Sequence, residues 1–125
     1  VDLCGHATLA AAHVIFNHLN FSGNTVSFSS NSGPLIVRQE SGILYLDFPA
    51  DSITAVESME SLIKGLGVMP SELYKGRDDF LAIFENEDII ASLSPDMALI
   101  SKCPSRGVIV SSIGNEVDFV PDGLP

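Results

Sequence analysis

The sequence predicts an α+β domain, a mostly antiparallel sheet curled as a barrel around a buried central helix. Three observations carry this. Residues 5–18 are apolar on nearly every side of a helical wheel, and a helix apolar all round is normally buried. Three alternating segments follow, separated by connectors short enough for hairpins. Further short β-like runs recur towards the C-terminus, giving about seven strands to cover the helix.

The first helix is expected from Gly5 to His18, where Ala7, Leu9, Ala10, Ala11, Ala12, Val14, Ile15 and Phe16 supply the apolar surface. Thr25 to Ser30 sets Val26 and Phe28 against Ser27 and Ser29, Pro34 to Gln39 follows, and Ile43 to Phe48 alternates again. These read as three strands, punctuated by Gly23-Asn24, by Asn31 to Gly33 and by Ser41-Gly42. Thr54 with Glu57 has the spacing of a capping box; Val56, Met59, Leu62, Ile63 and Leu66 then recur at helical spacing until Gly65 and Gly67 end the run. Glu72 to Lys75 and Phe80 to Phe84 read as strands around a polar turn, Asp88 to Leu93 and Asp96 to Ile100 as short helical stretches, and Val108 to Ser111 as an apolar strand. Val117 to Val120 is the last expected strand, and the tail from Pro121 to Pro125 has turn chemistry.

With 125 residues the chain is expected to form one domain, 1–125. Its 46% apolar and 18% charged residues exclude a disordered chain. A net charge of −10, with six scattered basic residues, argues against nucleic acid and anionic membrane surfaces, both of which recruit clustered Lys and Arg. No apolar run nears the ~20 residues that cross a bilayer, and no secretory pattern opens the sequence, so the expected compartment is cytoplasmic. Cys4 and Cys103 are expected to be free thiols. Position 1 is Val, which suggests a piece of a longer polypeptide.

The segment with chemical content is Cys4-Gly5-His6-Ala7-Thr8. A helix starting near Gly5 leaves its first N–H groups without internal partners and gathers partial positive charge there, a setting that attracts carboxylates. Gly5 would admit a ligand close to the backbone, and His6 would stand at the rim as hydrogen-bond donor or proton carrier. The bland alternative is a turn glycine followed by a capping or surface histidine. A metal site is not expected. His6 and His13 lie two turns apart, ~10.5 Å along the axis, and one Cys-x-His pair is a poor zinc signal. His13 reads as a core-edge group and His18 as a helix-end residue. Asp78 and Asp79 read as a solvated turn, and Gly65-x-Gly67 as a helix stop rather than a phosphate loop.

The run from Asp2 to Ala12 resembles the signature helix of the PhzF family, the phenazine biosynthesis-like isomerases that share a two-lobed architecture with diaminopimelate epimerase. Ser32 to Val37, Leu73 to Phe84 and Arg106 to Val110 are similar to further stretches of that family. The resemblance implies one diaminopimelate-epimerase-like lobe. It also implies an enzyme that moves protons on a small carboxylated metabolite with neither metal nor organic cofactor. His6 then matches a catalytic residue of the cleft, and Gly5, His6 and Ala7 the substrate-binding helix start. Cys4 matches a catalytic cysteine of the epimerases, but His6 stands where they carry Asn, so the chain fits the PhzF branch, whose proton-handling group is a glutamate upstream of this helix. That glutamate is not in this chain, which is therefore expected to be inactive alone. The expected partner is a second lobe or a second copy in a homodimer. The alternative reading is a non-catalytic truncated lobe acting as a binding or assembly module.

Overall fold

The computed structural model describes residues 4–124; Asp2 and Leu3 of the signature stretch, with Pro125, lie outside the described residues. The chain divides into two units, Val1–Ala50 and Asp51–Pro125.

In the first unit, helix α1 spans Gly5–His18. Cys4 is its extended N-cap residue, and the Thr8 N–H donates to the Cys4 carbonyl at 3.1 Å. After Leu19 the chain leaves the helix through Asn20 at φ 51°, a left-handed conformation that asparagine tolerates. Strands β1 (Thr25–Ser30), β2 (Gly33–Glu40) and β3 (Ile43–Asp47) form an antiparallel sheet in that order. The β2–β3 link is Ser41-Gly42, both at positive φ (50° and 82°), as hairpin turns matched to strand twist require. Strand alternation places Leu35 and Val37 inside, while Thr8 and Ala12 are the buried residues of α1.

The second unit carries five strands in the order β4-β5-β6-β7-β8: β4 (Thr54–Ala55), β5 (Glu72–Lys75), β6 (Asp79–Phe84), β7 (Gly107–Ile113) and β8 (Phe119–Leu124). Helix α2 (Glu60–Leu66) precedes β5, and α3 (Glu87–Ser92) and α4 (Met97–Ile100) lie between β6 and β7. Leu62 and Leu66 of α2, Ile100 of α4, Phe80, Ala82 and Phe84 of β6, and Val108 and Val110 of β7 form its core. Each large side chain in it contributes about 1.5–3 kcal/mol by leaving water.

Several expectations are corrected. Among the described residues neither sheet closes into a barrel. Nor is α1 a fully buried helix: Leu9 and Val14 are 37% and 45% exposed. Strands β2 and β3 pack against it. Much of the apolar wheel is alanine, which has little surface to bury. One pair, β6 with β7, is parallel, because residues 85–106 supply the crossover that a parallel pair needs. Thr54 does not cap a helix. Thr54 and Ala55 pair with Lys75 and Tyr74, and α2 begins at Glu60 behind Met59. The tail is strand rather than turn: Pro121 sits opposite Ser111 on the edge strand β8, and edge strands are where sheets accommodate proline. Asp79 is not a solvated turn residue, since it meets Arg106 at 2.5 Å and 3.2 Å, joining the starts of the parallel strands. Of the two glycines, Gly67 ends α2 at φ 75° with its N–H on the Ile63 carbonyl, whereas Gly65 lies inside the helix against Ile100.

Candidate functional site

The first turn of α1 presents Gly5, His6 and Ala7 in succession, so their amide N–H groups precede the helical ladder and point out of the helix start. The side chain of Cys4 accepts none of them. The helix start is the end of α1 where the aligned peptide dipoles gather partial positive charge. The side chains diverge, because successive helical residues are about 100° apart. His6 and Ala7 are exposed, and Gly5 is half-buried.

Gly5 has a packing reason that the sequence did not disclose. A Cβ there would lie 3.3 Å from Cε2 of Phe48, the residue after β3. The glycine lets the aromatic ring approach the helix start. His6 has a near neighbour: its Nε2 and Nδ1 lie 3.6 Å and 3.9 Å from the Cys4 Sγ. An i, i+2 pair does not share a helix face, but Cys4 is in extended conformation at the cap, which turns its thiol back over the imidazole.

From His6 an open groove of ≈ 610 Å³ runs along α1, lined by His6, Leu9, Ala10, His13 and Val14 with Leu44 of β3. It has imidazoles near both ends and an apolar floor between them. Ala7 is not among its lining residues. His13 is exposed rather than core-edge; its ring meets that of His18 edge-on at 5.7 Å, and Asn17 donates to its carbonyl at 2.9 Å. His18 does occupy the last turn, where a cation is favoured. Among the described residues, His, Cys, Asp and Glu gather into no group of three or more. The two cysteines are free thiols, Cys4 half-buried and Cys103 buried. No helix among the described residues is long and apolar enough to cross a membrane.

A second depression, of ≈ 210 Å³, lies in the other unit beside β4 and β5, where Glu72 and Tyr74 sit among Val56, Ile63 and Leu73. The Tyr74 hydroxyl donates to the Glu72 carboxylate, which holds the phenol above its ordinary range. The sequence carried no signal for this pair beyond strand alternation, which puts residues 72 and 74 on one face.

The sequence profile described as phenazine biosynthesis-like protein (PhzC-PhzF) matches residues 1–118. An uncharacterised isomerase of Pseudomonas aeruginosa is 42% identical over 120 residues, covering 96% of this chain and 46% of that protein. Another, from Halalkalibacterium halodurans, is 34% identical over 124 residues, covering 96% and 47%. A crystal structure of a phenazine biosynthesis protein of the PhzF family from Enterococcus faecalis superimposes with a TM-score of 0.87 at 37% identity, covering 98% of this chain and 47% of that one. The chain thus spans about half the length of the relatives it matches.

Proposed function

Because the chain belongs to the phenazine biosynthesis-like (PhzC-PhzF) family, we propose that it supplies one part of a cofactor-independent isomerase site. That site shuttles a proton on a small carboxylated metabolite. In this reading the open amides of Gly5, His6 and Ala7 hold a substrate carboxylate, spreading the negative charge that grows when a neighbouring C–H bond is broken. The imidazole of His6 donates a hydrogen bond or returns the proton. The base is the glutamate that the family resemblance places upstream of this helix. A second lobe or second copy completes the cleft, with no metal ion, in a cytoplasmic enzyme. The observation that carries the reading is the start of α1, where the Cys4 side chain makes no cap hydrogen bond, with His6 beside it lining the groove.

A chimera tests it. This chain replaces the corresponding half of the Enterococcus faecalis PhzF-family protein, and deuterium uptake from heavy water into a panel of small unsaturated carboxylates is followed by NMR. Uptake by the chimera that falls about 10²–10⁴-fold in His6→Asn is expected, the usual contribution of a positioned proton-transfer group. Uptake unaffected by His6→Asn overturns the assignment. The second reading, a non-catalytic binding or assembly module, is favoured by the exposure of Ile109, Ile113 and Phe119 on one sheet. A chimera that binds carboxylates but exchanges no deuterium supports it.

A further inference from the structure

We draw no further inference here: the strongest candidate, the apolar patch of Ile109, Ile113 and Phe119 on the open face of the five-stranded sheet, carries nothing because no feature of the structure shows what covers it.

Discussion

The thiol of Cys4 stands 3.6 Å from Nε2 of His6, and the two residues bracket the glycine that opens α1. The Cys4 thiol is half-buried at the helix start, where reagents reach it. Cys103 is 6% exposed within the core of the second unit, with Leu99 and Ser61 as its polar neighbours. Native alkylation with iodoacetamide, read by peptide mass spectrometry, is therefore expected to label Cys4 well before Cys103. Labelling of Cys103 first would contradict the placement of both thiols.

The α2–α4 contact depends on a residue without a side chain. A Cβ on Gly65 would meet Ile100 Cδ1 at 2.7 Å and its backbone nitrogen at 3.2 Å, and the Gly65 carbonyl accepts from Asp96 at 2.7 Å. Gly65→Val must push α4 away, and overpacking of this kind costs about 1–3 kcal/mol. Urea unfolding is expected to show a lower midpoint with an unchanged slope; an unchanged midpoint would mean that the helices do not approach this closely.

Charge pairing on α2 makes a prediction about titration. Lys64 donates to Glu60 at 2.6 Å across one helical turn, and this hydrogen bond, with the charge attraction beside it, holds the Glu60 carboxyl below its ordinary value. A depressed folded-state value means that whatever stability the pair adds is present above the ordinary carboxylate range and is lost as the pH falls through the folded-state value. Both groups are exposed, so the effect on stability is small. Lys64→Met is expected to raise the Glu60 midpoint in a carboxyl-carbon NMR titration; an unmoved midpoint would remove Lys64 as the cause.

Much of this fold is legible in the sequence wherever an element carries its own periodicity. The α1 bounds and the β1 to β3 hairpins follow from local alternation and turn residues, as do β5 and β6. What failed was decided elsewhere in the chain. The Thr54–Glu57 spacing satisfies a capping box, but the ladder of Thr54 and Ala55 with Lys75 and Tyr74 takes those residues into a strand. The same happens at Pro121 to Leu124, where β7 recruits turn-forming residues as its edge partner. The inferred barrel rested on an apolar wheel whose alanines tolerate exposure. At the candidate site, Gly5, His6 and Ala7 fall at the helix start as the spacing predicts, while Phe48 against Gly5 and the thiol over His6 depend on a distant residue and on a cap conformation, neither of which periodicity encodes.

The central claim is that the opening amides of α1 receive a small carboxylate beside His6. Titrating the isotope-labelled chain with benzoate and acetate, and following every backbone amide by two-dimensional NMR, tests it most directly. Saturable shifts concentrated at Gly5, His6 and Ala7, diminished in Gly5→Val, where the added side chain meets Phe48, are predicted. Shifts confined to other residues, or none at these three amides as the ligand accumulates, would contradict it.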